Sequence, residues 1–217
     1  DVAERVHELI DQADELYRQD VENFPNIHFD RHLYQPLLAT DESLSSTPPG
    51  LDENEEKFIR GLHDYLQQKH KQLEDKEVFL LRNLTRGRGI GFFEEAAGEA
   101  FYPDFILWVI DDSRQRIAFI DPHGLRFAEG GFNDPKIQLH RRLESLEPSL
   151  QRWCTQRQVH LTSFILSTST YEKIRKLFGE EQNSREDFED YNVLFMEDSN
   201  YIRKLFDTLL DETSIKT

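Results

Sequence analysis

The stretch FYPDFILWVIDDSRQRIAFIDPHGL, Phe101 to Leu125, reads as two apolar strands joined by a polar turn from Asp111 to Gln115. Antiparallel strands pair residues whose numbers sum to a constant. A turn centred between Asp112 and Ser113 sets Asp104 directly opposite Asp121. Opposed residues share a face of the sheet, with Cβ atoms about 4.5–5.5 Å apart. His123 lies two residues beyond Asp121, so strand periodicity places it on that face if the strand continues. Ile106, Trp108, Ile110, Ile117 and Phe119 share the aspartate face; Phe105, Leu107, Val109, Ala118 and Ile120 take the other. Both faces are apolar, which suits strands in the middle of a sheet covered by helices on each side. The two aspartates are polar exceptions at the rim of that sheet. Facing carboxylates repel unless a cation compensates them, and paired oxygen donors suit a hard ion such as Mg²⁺. The plainer alternative is that Asp121 caps the following turn and Asp104 merely follows Pro103.

Pro103-Asp104, an apolar hairpin and Asp121-x-His123 resemble the PD-(D/E)XK nuclease signature, with His where that family usually has Lys. The resemblance extends to HLYQPL (His32 to Leu37), LDENEEKF (Leu51 to Phe58), RNLTRGRGIGFF (Arg82 to Phe93) and FYPDFILW (Phe101 to Trp108). This ordered set, over most of residues 28–160, is similar to the C-terminal nuclease region of type III restriction-like DEAD/DEAH helicase proteins. It implies a restriction-endonuclease-like αβββαβ sandwich that cleaves DNA with Mg²⁺ or Mn²⁺. It also implies a helicase or ATPase as partner, in restriction or anti-phage defence. In such nucleases an N-terminal helix gives an acidic residue to the metal site; Glu55 matches it best in register, and Glu56 is the alternative.

Composition sets bounds on this reading. The 217 residues suffice for one well-cored domain with an appended arm. No segment approaches the roughly 18 apolar residues of a membrane span. A single cysteine, Cys154, excludes an internal disulfide and suits a reducing compartment, so a cytoplasmic protein is expected. The net charge of −16 argues against tight unaided binding to DNA. It is compatible with a nuclease whose substrate is delivered by another module and whose acidic site is neutralised by metal. Arg82 to Phe93 is the exception, with three arginines and no acid.

Along the chain, Val2, Val6, Leu9, Ile10, Ala13, Leu16 and Tyr17 form a helical stripe on an acidic background. Such a helix docks either on another domain or on this chain's own core. His28 and His32 stand four apart, half of a zinc site with no paired motif to complete it. TDESLSSTPPG, Thr40 to Gly50, is the clearest linker, which divides the chain into an arm, 1–48, and a main domain, 49–217. Asp52 with Glu55 forms a capping box for a helix reaching Leu73. Val78 to Leu84 is expected as a strand. Arg86-Gly87-Arg88-Gly89-Ile90-Gly91 follows, its glycines permitting close backbone approach and its arginines suiting phosphate. No G-K-[ST] occurs, so no P-loop nucleotide site is expected. Asn133-Asp134-Pro135 starts a helix that reaches Pro148 and restarts to Gln156, with Ile137, Leu139, Leu143 and Leu146 facing the core. Val159 to Ser167, Tyr171 to Phe178, Asn192 to Met196 and Tyr201 to Leu210 complete the pattern as strand, helix, strand and helix. The order predicts an α/β sandwich with a mixed sheet.

Under the resemblance, a divalent ion is held by Asp104, Asp121 and the Pro122 carbonyl, with Glu55 reaching it directly or through water. Bound to a dication, water loses a proton more readily and the phosphate is polarised. His123 titrates near neutrality and suits a base or proton shuttle. Lys136, or Lys57, supplies the positive charge that the family's lysine carries. Arg82, Arg86, Arg88 and Lys136 are the expected DNA contacts. The competing expectation is a catalytically degenerate module that binds DNA or supports the helicase; a phosphoesterase for a small substrate is a third.

Overall fold

The computed structural model describes residues 51–68, 70–83, 89–94, 99–123, 125, 130–179 and 183–211. The arm, its amphipathic stripe, His28, His32 and the arginines Arg86 and Arg88 lie outside these residues.

The expected hairpin forms β4 (Phe105–Ile110) and β5 (Arg114–Asp121), paired antiparallel with Phe105 opposite Ile120 and Ile110 opposite Gln115. Asp111 sets the turn. Its carboxylate accepts the backbone N–H of Ser113 at 2.9 Å and of Arg114 at 2.7 Å, and pairs with Arg116 at 2.7 Å. Burial opposes its ionisation, but these donors hold the carboxyl well below the usual range. A turn fixed in this way fixes the register of everything beyond it.

Three more strands complete the sheet: β1 (Glu77–Arg82), β6 (Gln158–Ser167) and β7 (Val193–Phe195). The order is β1-β4-β5-β6-β7, with β1, β4 and β5 antiparallel to their neighbours and β5, β6 and β7 parallel. The fold is therefore α/β with a mixed five-stranded sheet. A separate hairpin, β2 (Phe92–Glu94) with β3 (Glu99–Phe101), was not legible in the sequence. It takes Phe101 away from β4, because Pro103 has no N–H for a ladder and the chain bends at Asp104.

Helices cover both faces. On one, α1 (Glu53–Gln67) and α5 (Tyr201–Leu210) bury Phe58, Ile59, Leu62, Leu205 and Phe206 against Phe105, Leu107 and Ile120. Each such side chain contributes about 1.5–3 kcal/mol on leaving water. The two helices approach closely at Gly61, where a Cβ would stand 2.8 Å from the Tyr201 hydroxyl. On the aspartate face, α2 (Leu139–Gln151) packs on β6, while α3 (Tyr171–Leu177) and the short α4 (Arg185–Glu189) close over β7.

Several boundaries differ from expectation. The capping box forms as read, but α1 stops at Gln67, and Lys71–Leu73 is a separate 3₁₀ turn. Past Gln67 it is His70, outside the helix, that lays its ring on the core residue Tyr65, with centroids 3.8 Å apart. α2 begins at Leu139 and runs through Pro148 to Gln151 instead of breaking there. Glu147 and Gln151, on either side of the proline, explain this by gripping β6. Glu147 accepts the Leu161 N–H at 2.7 Å, and Gln151 accepts that of Val159 at 2.8 Å. Leu146, expected in the core, is 46% exposed. Among the described residues no helix is long and apolar enough to cross a membrane.

Candidate functional site

The β4–β5 ladder ends where the two aspartates begin. Phe105 pairs with Ile120, so the next residues outward, Asp104 and Asp121, oppose each other on one face. β1 and β6 flank them, placing the pair at the carboxyl ends of the parallel strands, where open α/β sheets hold their ligands. Asp121 is buried and Asp104 is partly buried. Burial pushes the Asp104 carboxyl up to about 8, reinforced by the charge of Asp121 and a hydrogen bond to it. Burial also raises Asp121, but Lys136 and the hydrogen bond from Asp104 oppose that rise. The physical picture is one proton held between two carboxyls, residing on Asp104, with Asp121 the anion. Lys136 Nζ stands 3.8 Å from Asp121 Oδ2 and 4.7 Å over the Phe101 ring.

His123 departs from the expected alternation. The strand ends at Asp121, and the His123 N–H donates to the Asp121 carbonyl at 3.0 Å, closing a tight turn about the buried Pro122. The side chain is exposed. It remains near enough for its protonated form to favour ionised Asp104.

Glu55 sits at the start of α1, across the sheet from the aspartate face, and its carboxylate is already engaged. It accepts the Asp52 N–H at 2.8 Å and pairs with Arg82 at 3.0 Å, both ion-pair side chains being nearly buried. Burial raises its pKa, the Asp52 N–H and Arg82 lower it, and Asp104 raises it again. Glu55 therefore lies within electrostatic range of Asp104 without joining the pair. Glu56, the alternative in register, bonds Arg60 at 2.6 Å. Arg82, expected at DNA, belongs to this ion pair. Among the described residues no group of three or more His, Cys, Asp or Glu side chains is gathered to hold a metal ion.

Asn83 was not singled out in the sequence. Its backbone N–H donates to the Asp104 carbonyl at 2.7 Å. Its amide donates to the carbonyls of Pro103 at 2.7 Å and Ile90 at 2.8 Å, and accepts the Ile90 N–H at 3.0 Å. One side chain thus fixes the peptide carrying Asp104 and pins Ile90, where the glycine-rich run returns. Beside it a Cβ on Gly91 would stand 2.5 Å from the Tyr102 ring, so any larger residue there requires the ring to move. A half-buried asparagine bonded to backbone seven and twenty residues away leaves no local sequence signal.

As a donor set, Asp104 and Asp121 offer hard oxygens, and the proton between them occupies the place of a positive charge. That arrangement fits a hard divalent ion in exchange for the proton. Glu55 does not complete the set while Arg82 and Asp52 hold it. The chain matches no known family model, no curated protein and no solved structure.

Proposed function

We propose that this chain is a Mg²⁺- or Mn²⁺-dependent deoxyribonuclease module, acting in the cytoplasm on DNA delivered by a helicase or ATPase partner. The observation that carries the reading is the pair Asp104 and Asp121, facing each other at the carboxyl ends of a mixed sheet. Around it, the order of one helix, three antiparallel strands, a helix and a parallel strand supports a restriction-endonuclease-like core. Strongly perturbed carboxyls in such a place are functional-site candidates on physical grounds.

Asp104 and Asp121, with the Pro122 carbonyl, are the residues that would hold the ion. The ion would polarise the phosphodiester and make its bound water acidic. The chain's own groups do the remaining work. Lys136 neutralises Asp121 and brings a positive charge to the pair. His123, exposed at the rim, serves as proton acceptor or relay. Asn83 sets the backbone from which Asp104 projects. Arg86 and Arg88 are assigned to the DNA backbone.

A second reading is favoured by one specific observation. Glu55 is tied to Arg82, and His123 replaces the family's lysine, as in a degenerate module that binds DNA without cutting it. One experiment separates the two: DNA cleavage by the purified chain with Mg²⁺ or Mn²⁺, alone and with its motor, against Asp104→Asn. Cleavage by the wild type, lost in the variant, supports the nuclease. DNA binding without cleavage under every condition supports the degenerate module.

A further inference from the structure

Glu55 and Arg82 stand on the opposite face of the sheet from the aspartates but at the same rim. Arg82 ends β1 opposite Phe105, the residue after Asp104. The next backbone N–H, that of Asn83, donates to the Asp104 carbonyl at 2.7 Å. Glu55 is brought to this rim by the capping box that starts α1. Both of its bonds fall on one oxygen: Oε2 accepts the Asp52 N–H at 2.8 Å and Arg82 Nη2 at 3.0 Å. Among the described residues Oε1 has no hydrogen-bond partner. The charge of Glu55 is felt at Asp121, and that of Asp104 at Glu55. One carboxylate oxygen is thus uncommitted within electrostatic range of both acids, while its twin is held by a permanently charged guanidinium.

Resting on the reading of Asp104 and Asp121 as an ion site, we propose that Arg82 is a latch on Glu55. It holds that carboxylate away from the pair and releases it as a third oxygen donor once a dication occupies the pair. Charge supplies the direction. Opposite a dication the Arg82 guanidinium is repelled and the Glu55 carboxylate attracted, so both ends of the bridge are driven toward opening. Arg82 cannot relieve the repulsion by losing a proton, and with its side chain only 11% exposed, salt screens it weakly. The start of α1 need not move. Asp52 caps it through its own carboxylate, which accepts the N–H groups of Asn54 and Glu55 at 2.8 Å each. Because opening breaks the bridge, the latched chain holds a dication less tightly than three freely available carboxylates would.

Binding of Mn²⁺ alone to the full chain, followed by titration calorimetry, reads the latch without any need for cleavage. Arg82→Gln should bind Mn²⁺ more tightly than the wild type, by on the order of tenfold. Adding Glu55→Asp, which keeps the charge but shortens the reach by a methylene, should remove that gain. In the wild type, Mg²⁺ should shift the NMR signal of the Arg82 Nε–H and speed its exchange with water, a measurement that needs no variant to fold. Unchanged or weaker Mn²⁺ binding by Arg82→Gln would overturn the latch. So would a gain that survives Glu55→Asp, or an Arg82 signal indifferent to bound Mg²⁺. If Asp104→Asn abolishes Mn²⁺ binding in any of these cases, the ion site stands and the latch alone falls. No Mn²⁺ binding by either the wild type or Arg82→Gln would overturn both.

Discussion

Asp104 donates a hydrogen bond to Asp121 across the end of the β4–β5 ladder, so two acids that repel when ionised share one proton. The pairing follows from a turn fixed by Asp111, seven residues beyond Asp104 in the chain. If the pair is the metal site, Asp104→Asn should lower Mg²⁺-dependent DNA cleavage by a factor on the order of 10³, with the shape of the site kept. Single-turnover cleavage of labelled DNA measures it.

The same pair makes stability depend on pH. Asp104 is raised from its ordinary 3.8 to about 8, so the folded state holds a proton that the unfolded chain releases. The stability this proton gives is complete below about pH 4 and is lost as pH rises through about 8. Metal-free urea unfolding should therefore show this contribution fading across that window. Asp104→Asn should flatten the dependence, and added Mg²⁺ should oppose the loss at high pH.

Under the proposed nuclease reading Lys136 and His123 are the two candidates to assist cleavage, and their placement distinguishes them. Lys136 faces Asp121 at 3.8 Å, whereas His123 is turned into solvent. Lys136→Met should lower cleavage more than His123→Ala. If His123 is the base, its alanine variant should lose about 10²–10⁴ in rate. His123→Lys should keep or raise activity. Single-turnover rates of the variants separate these outcomes.

In the metal-free protein the Glu55–Arg82 pair should act mainly on stability. Both side chains are nearly buried, so Arg82→Ala leaves an unpaired carboxylate and should cost about 3–5 kcal/mol. Adding Glu55→Gln should recover part of that loss, because the stranded charge is removed. Denaturant titrations of the single and double variants give the comparison.

Arg86→Ala with Arg88→Ala should weaken DNA binding about equally on all sequences. It should also reduce the steepness of the salt dependence, as expected for contacts to phosphate. Fluorescence anisotropy at several salt concentrations, with catalysis blocked by Asp104→Asn, tests it.

The hairpin and its register were legible because alternation and a short polar turn leave little freedom in pairing. The start of α1 was legible because Asp52 and Glu55 satisfy its first N–H groups locally. The order of the five strands of the main sheet and the longer helices followed from the same kind of short-range signal, whereas β2, β3 and the five-residue α4 did not. The remainder depended on contacts distant in sequence. Arg82 claims Glu55 from 27 residues away, which no helical spacing reveals. Pro122 ends the strand, so period two could not carry His123 to the face of Asp121. The β2–β3 hairpin is too short for a periodic pattern. Leu146 showed the right spacing for a core residue, but periodicity does not tell what lies across from it.

The Asn83 clamp bears on how Asp104 is held. β1 and β4 are adjacent antiparallel strands, yet Arg82 and Phe105 are joined by a detour that holds the glycine-rich run and a second hairpin. By fastening Ile90 and Pro103 to one side chain, Asn83 ties off both parts of the detour at the sheet's edge. The peptide before Asp104 and the carbonyl of Asp104 itself are therefore both held from one residue at the end of β1. Asp104 thereby takes its position from the end of β1 as well as from its own strand.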